Sequence, residues 1–309
     1  MAERIYDIVV LGGGPAGYTA ALYATRAGLS VLVVEKLSPG GQMTETALIE
    51  NYPGFSKGID GFSLGGEMQQ GAARFGAVTL QAEVREVRLA ETPKRIYTDS
   101  GELLARTVIV ATGAEHKHLG IAGEEGLVGR GVGYCAACDG MFFRGKTVAV
   151  VGGGNSAAAD ALYLSKICEK VYLIHRREEL RATKIYHEPL MRAENVEFCW
   201  NSRVKKLLSD TKLSGVVLEN TQSGAQRTLT LDGLFISIGR SPATALFKDQ
   251  LALDDSGYII ADESTKTSLA GVFAAGDVRA KALRQIVTAT ADGAVAAHFV
   301  EEYLTGISE

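Results

Sequence analysis

The 309-residue sequence predicts an α/β protein of two Rossmann-like, three-layer domains, the second inserted into a discontinuous first. Three observations carry this expectation. A strand, a glycine turn, a helix and a second strand open the chain, and the same pattern returns from residue 147. Two further strands ending in small-residue turns, "RTVIVATGA" (106–114) and "GLFISIGRSP" (233–242), each precede a change of domain.

The opening segment is "YDIVVLGGGPAGYTAALYATRAGLSVLVVEK" (6–36). Gly12, Gly14 and Gly17 have the GxGxxG spacing, with Pro15 and Ala16 between the last two. The first glycine permits the tight turn, the second lets a pyrophosphate approach the backbone, and the third lets helix pack on strand. A pyrophosphate there meets the unpaired N–H groups of a helix start. Glu35 ends the second strand, where a carboxylate accepts hydrogen bonds from an adenosine ribose.

The second copy is "TVAVVGGGNSAAADALYLSKICEKVYLIHRREELR" (147–181), with Gly152, Gly154 and Ala157 in the fingerprint and Asn155 and Ser156 between. Glu35 lies 23 residues after Gly12, and 23 residues after Gly152 lies His175, followed by Arg176 and Arg177. The acid that would repel a 2′-phosphate is absent and cations stand in its place. Arg181 joins them if the segment turns helical. Guanidinium groups bind phosphate in bidentate geometry, so this site reads as NADPH-binding. The competing reading of "HRREELR" is a solvated charged turn. A chain with two such sites holds one dinucleotide permanently and exchanges the other, and the first site, with its acid, suits FAD.

The expected layout is an FAD domain of residues 1–114 and 246–309, with an NADPH domain of 115–245 inserted. "GAEHKHLGI" and "SPATALF" form the crossings. Late in the chain "GVFAAGDV" (271–278) is a strand ending in Gly276-Asp277, a pair suited to a flavin's phosphate and ribityl portions. "RQIVTATADGAVAAHFVEEYL" then has an amphipathic helical pattern.

Net charge is −4, which makes no electrostatic case for nucleic acid or an anionic membrane surface. No apolar run has the length of a membrane span, and a strand begins where a secretory signal would lie. Four cysteines are too few for a disulfide-scaffolded secreted protein, so a cytoplasmic location is expected, where a CxxC is catalytic or metal-binding. That CxxC is Cys135-Ala-Ala-Cys138 in "GVGYCAACDG" (131–140). A structural zinc site wants a second pair, yet Cys168 and Cys199 are 31 residues apart and read as core thiols, so no metal is expected. As a redox pair the two thiols close into a disulfide, and a thiol in such a motif has a pKa of roughly 3.5–7.5. Asp139 is a candidate proton shuttle, or alternatively a turn cap.

Taken together, these motifs and their order resemble the low-molecular-weight (bacterial-type) thioredoxin reductases over essentially the whole chain. "YCAACDG" matches the family's active-site signature, with Ala137 in a slot that varies, and Asn155 stands where Asp is common. "PGGQMTETALIENYPGF" (39–55) resembles the family's isoalloxazine-contacting loop, pointing to Gly41, Gln42 and Asn51. The resemblance further implies FAD contacts at Val84, Ala111, Thr112, Gly113, Gly276, Asp277, Arg284, Gln285 and Ile286, and NADPH contacts at Ile238, Gly239 and Arg240. It implies electron flow from NADPH through FAD to the Cys135–Cys138 disulfide and on to thioredoxin. In it Cys138 faces the flavin and begins exchange, Cys135 resolves, and the protein is a homodimer. Disulfide and nicotinamide then share one body and take turns at one flavin, so a rigid inserted domain must swing. Rival readings are a peroxidase-reducing flavoprotein, which carries a long N-terminal extension, a dithiol oxidase, a ferredoxin-fed reductase, and a redox sensor without turnover.

Overall fold

A computed structural model describes residues 4–46 and 48–306. Ala47, inside the expected flavin loop, lies outside the described residues. The chain divides into two compact units, Met1–Glu115 with Ser241–Glu309, and His116–Arg240. Residues 241–245, expected in the insert, fall with the larger unit. The reason is local: Thr112 Oγ1 donates to Ala243 O at 2.8 Å and Ala243 N–H donates to Gly113 O at 3.0 Å.

The larger unit is built on a seven-stranded sheet. Ile5–Leu11 lies between Val31–Glu35 and Gly101–Val110, both parallel to it, and Val272–Ala274 extends the parallel set. Lys94–Thr98 and Val84–Arg88 add antiparallel strands at the other end. Successive strand residues point to opposite faces, and both faces are covered, so the apolar run is continuous rather than alternating. Ile8 and Val10 meet the helices Pro15–Arg26 and Ile286–Thr305 on one side. Val9 and Leu11 meet Phe247, Leu251 and Ile259 on the other. The C-terminal helix starts with Gln285 as N-cap, in a reciprocal capping box with Thr288.

The smaller unit has a five-stranded parallel sheet in the order Val196–Cys199, Lys170–Ile174, Thr147–Val151, Gly233–Ile236, Val132–Gly133. The helix Asn155–Ser165 packs Ala157, Ala158, Ala161 and Leu164 on one face. An antiparallel layer of Ser202–Ser209, Leu213–Asn220 and Gln226–Thr230 covers the other face with Leu207, Val216, Leu218 and Leu229. Strand order reverses between Thr147–Val151 and Gly233–Ile236, and the crevice at such a switch point is where doubly wound sheets bind ligands.

Candidate active site

In the larger unit the first glycine turn is built by close approach. Gly12 has φ +108°, and a Cβ there would lie 2.4 Å from Ala111 O; a Cβ on Gly17 would lie 1.9 Å from Gly12 O. Gly14 is different: its nearest neighbour on the Cβ side is Gly40 O at 4.0 Å. The turn is therefore closed beneath and open where a pyrophosphate belongs, with Pro15 and Ala16 starting the helix. Glu35 accepts from Gly13 N–H at 2.7 Å and from Leu37 N–H at 3.0 Å, and a carboxylate retains further lone pairs for ribose hydroxyls. The residues present fit an adenine dinucleotide.

The other expected FAD residues lie in the same unit. Gly40 N–H donates to Gly13 O at 2.8 Å, and Gly41 follows it into the short helix Gly41–Glu45. Gln42 Nε2 donates to Ala114 O at 2.6 Å, just beyond Ala111, Thr112 and Gly113. Asn51 Nδ2 donates to Gln285 Oε1 at 3.0 Å, tying the 39–55 loop to the start of the last helix. Ile286 packs with Met43, Ile49 and Leu64. Arg284 lies 3.9 Å over the Tyr258 ring and Nε donates to Asp277 O at 3.4 Å. Gly276 N–H donates to Asp292 Oδ2 at 2.9 Å. Val84 is half-buried at the start of its strand, two residues past Ala82, whose N–H donates to Glu35 O at 3.0 Å.

The second turn repeats the design in the smaller unit. A Cβ on Gly152 would lie 2.3 Å from Ser237 O, whereas nothing lies within 4 Å of a Cβ on Gly154. His175 takes the place that Glu35 holds in the first copy: a Cβ on Gly153 would lie 2.2 Å from its ring. His175 is buried, and its Nε2 has no hydrogen-bond partner among the described residues. Burial, then the fields of Arg181, Arg177 and Arg176, push its pKa below the ordinary imidazole value. The three arginines are exposed. The 175–183 segment is a series of bends, not a helix. Arg181 reaches the turn through the backbone instead, donating its N–H to Gly153 O at 2.7 Å. Asn155 Oδ1 accepts from Thr183 N–H at 2.8 Å and closes the same loop, with Ser156 exposed beside it. A cationic rim and an unpaired buried nitrogen around an open glycine turn fit a 2′-phosphorylated dinucleotide. Ile238 and Gly239 are exposed, Arg240 is half-buried, and Gly239 O accepts from Lys117 N–H at 3.0 Å.

Cys135 and Cys138 form a disulfide, S–S 2.14 Å, with Cα atoms 5.3 Å apart. Cys135 is the N-cap of the one-turn helix Ala136–Asp139. Cys168 and Cys199 are free and buried. Asp139 is half-buried, and burial lifts its pKa from 3.8 to about 6. Its side chain makes no capping hydrogen bond to the short helix that follows, so the turn-cap role is not its arrangement here.

The whole span between these two turns and the last helix is accounted for by a single match: residues 6–293 fit the family model described as pyridine nucleotide-disulphide oxidoreductase. The chain belongs to that family. A thioredoxin reductase of Listeria monocytogenes is 47% identical over 308 residues, covering 99% of this chain and 96% of its own length. One from Bacillus subtilis is 44% identical, covering 99% and 97%. The crystal structure of a thioredoxin reductase from Streptococcus pyogenes superposes with a TM-score of 0.91 at 42% identity, covering 99% and 100%. This disulphide oxidoreductase is an NADPH-dependent flavoprotein, with FAD and NADPH as its cofactors. Among the described residues no helix is long and apolar enough to cross a membrane.

Two groups in this oxidoreductase went unnoticed in the sequence. Asp292 is buried and accepts from Arg279 Nε at 2.9 Å and Lys281 Nζ at 2.8 Å as well as from Gly276. Burial raises its pKa, but the Arg279 and Lys281 hydrogen bonds outweigh that and hold it below the usual range. A carboxylate in the apolar run "TATADGAVAA" was the available signal. The second group abuts the dithiol. Tyr134 donates to the buried Glu124 at 2.7 Å, contacts His118 Nδ1 at 2.8 Å, and stacks on His116 at 4.9 Å. Burial, Arg240 and His118 push His116 down to about 4, so its ring is neutral at pH 7.

Proposed function

We propose that this chain is a thioredoxin reductase, in which Gly12–Gly17 and Glu35 hold FAD, the 152–157 turn with His175, Arg176, Arg177 and Arg181 holds NADPH, and Cys135 and Cys138 carry electrons to thioredoxin. The observation that carries it is the Cys135–Cys138 disulfide beside a carboxyl of raised pKa. FAD, when bound, supplies the two-electron relay between NADPH and this disulfide. Opened by two electrons, Cys135 and Cys138 become a thiol and a thiolate. One attacks the partner's disulfide, forming a mixed disulfide and releasing a partner thiolate; the other displaces the second partner sulfur and restores the Cys135–Cys138 bond. One NADPH and one proton are consumed per partner disulfide reduced to two thiols.

Asp139 suits the proton transfer, since a carboxyl of pKa about 6 is still partly protonated near neutrality. The parent's rate should fall as pH rises through about 6, and Asp139→Asn should lower thioredoxin reduction by roughly a hundredfold or more and remove that fall. Stability depends on the same ionisation, in the same direction. With a folded pKa raised from 3.8 to about 6, this group's stabilising contribution is full below 3.8 and lost as pH rises through 6. The uncharged Asn variant should therefore melt no lower than the parent at pH 7. A lower melting temperature with an unchanged pH profile would make Asp139 structural.

A protein substrate is supported by Met141 and Phe142, which are 44% and 45% exposed directly after the dithiol. Family membership, and the exposed Tyr23, Phe62 and Phe75 of the larger unit, support a homodimer. Supply of reduced thioredoxin, which a thiol-reducing compartment requires, supports a cytoplasmic location. The test is an anaerobic titration with NADPH followed by flavin absorbance, then addition of oxidised thioredoxin. NADPH should bleach the flavin and thioredoxin should restore it, repeatedly. Bleaching that thioredoxin leaves untouched would refute the assignment and favour a sensor without turnover.

A further inference from the structure

Arg279 and Asp292 are buried in the larger unit, and the Lys281 side chain beside them is only 9% exposed. Asp292 stands in the last helix, Ile286–Thr305, whose other buried positions are Ala289, Gly293, Ala296, Ala297 and Val300. Its Oδ1 accepts from Arg279 Nη2 at 3.0 Å. Its Oδ2 accepts from Arg279 Nε at 2.9 Å, Lys281 Nζ at 2.8 Å and Gly276 N–H at 2.9 Å. The surplus positive charge rests on carbonyls. Arg279 Nη1 donates to Ala261 O at 3.2 Å and Asp262 O at 2.9 Å, and Lys281 Nζ to Thr288 O at 3.2 Å. Such a cluster adds little to stability over apolar residues of the same volume, because desolvating the ions offsets their attraction. What it supplies is register.

Residues 280–285 need it, since they lie in neither helix nor strand. Asp292 grips the chain here at three points, Gly276, Arg279 and Lys281. The stretch so held carries Asp277, Arg284 and Gln285, all expected at the flavin. Arg284 is referred to it in turn, donating from Nε to Asp277 O and from Nη2 to Arg279 O, each at 3.4 Å. The same corner meets the first glycine turn. A Cβ on Gly276 would lie 2.9 Å from Ala16 Cβ, and one on Gly293 2.2 Å from Ala16 O.

We infer that Asp292, acting through Gly276, Arg279 and Lys281, is a positioning residue for the flavin half of FAD. It sets the 276–285 segment against the last helix, whereas the adenosine half falls to the 12–17 turn and Glu35. The inference rests on the assignment of FAD to the larger unit.

The test uses the full-length protein stripped of its flavin. FAD binding is read by flavin fluorescence, ADP binding by its competition with FAD, so that only the FAD site is reported, and stability by melting temperature. Asp292→Asn strands two buried cations and can prevent folding, so two other variants carry the test. One is Lys281→Met. The other replaces the whole cluster by apolar residues of similar size, Arg279→Leu with Lys281→Met and Asp292→Leu. The dissociation constant for FAD should rise about three- to tenfold in the first and at least about tenfold in the second. That for ADP should change less than about twofold in both, and the apolar variant should melt no lower than the parent. Equal losses for FAD and ADP, parental FAD affinity in the apolar variant, or an apolar variant that melts lower or fails to fold would mark a structural role and overturn the inference. A parent from which ADP does not displace FAD would instead overturn the assignment of FAD to the 12–17 turn.

Discussion

Replacing either Cys135 or Cys138 by serine should reduce NADPH-driven thioredoxin reduction by at least about a thousandfold, and replacing both should cost no more than replacing one. The two sulfurs act as a unit: neither can accept two electrons and hold them as a closed bond without the other. Oxidation of NADPH with an artificial electron acceptor should persist in all three variants, since neither proposed dinucleotide turn, 12–17 or 152–157, includes a substituted atom. The single variants also separate the roles of the sulfurs. The variant that keeps the attacking sulfur but loses the resolving one should accumulate a mixed disulfide with thioredoxin, and the other should not. Family resemblance implies that Cys135→Ser is the trapping variant. Thioredoxin reduction surviving the double substitution would remove the dithiol from the pathway.

The fold class could be read from the chain because both faces of each central strand are covered. Val9 and Val10 point oppositely and are equally buried, so the apolar run is unbroken, and each run ends in glycines that only a close turn explains. The antiparallel layer of the smaller unit was less readable. A bulge between Val204 and Lys206 puts Lys205 and Lys206 side by side in solvent, which breaks the period-two pattern that would have marked Ser202–Ser209 as a strand. Arg181 shows a similar limit. Helical spacing was the only sequence-level route for bringing it to the ribose end, whereas the chain uses a backbone hydrogen bond to Gly153. The hydrogen bond from Ser237 to Asp160 spans 77 positions, and no spacing rule joins the two. Motifs with local spacing were visible, and side chains that meet only through sheet order were not.

Arg176→Ala and Arg181→Ala should each raise the dissociation constant for NADPH by about tenfold to a hundredfold and leave that for NADH almost unchanged. The magnitude follows from the hydrogen bonds lost, since each one to a charged partner is worth roughly 1.5–3 kcal/mol. The selectivity follows from position. His175 occupies the place where the first copy has Glu35, and it is buried against Gly153, so that position has no carboxylate to hold a 2′-hydroxyl or to repel a 2′-phosphate. In the proposed site the arginines are the groups expected to turn tolerance of that phosphate into preference, and Arg181 is pinned beside the turn by its own N–H at 2.7 Å from Gly153 O. Exposed cations are screened by salt, so the parent's preference for NADPH over NADH should shrink as ionic strength rises, and shrink less in either variant. Arg181→Lys should recover only part of the loss, because an ammonium cannot grip phosphate oxygens in the bidentate geometry of a guanidinium. If both cofactors weaken equally in the alanine variants, the cluster is a solvated charged turn, and discrimination at the 2′-position must come from other residues.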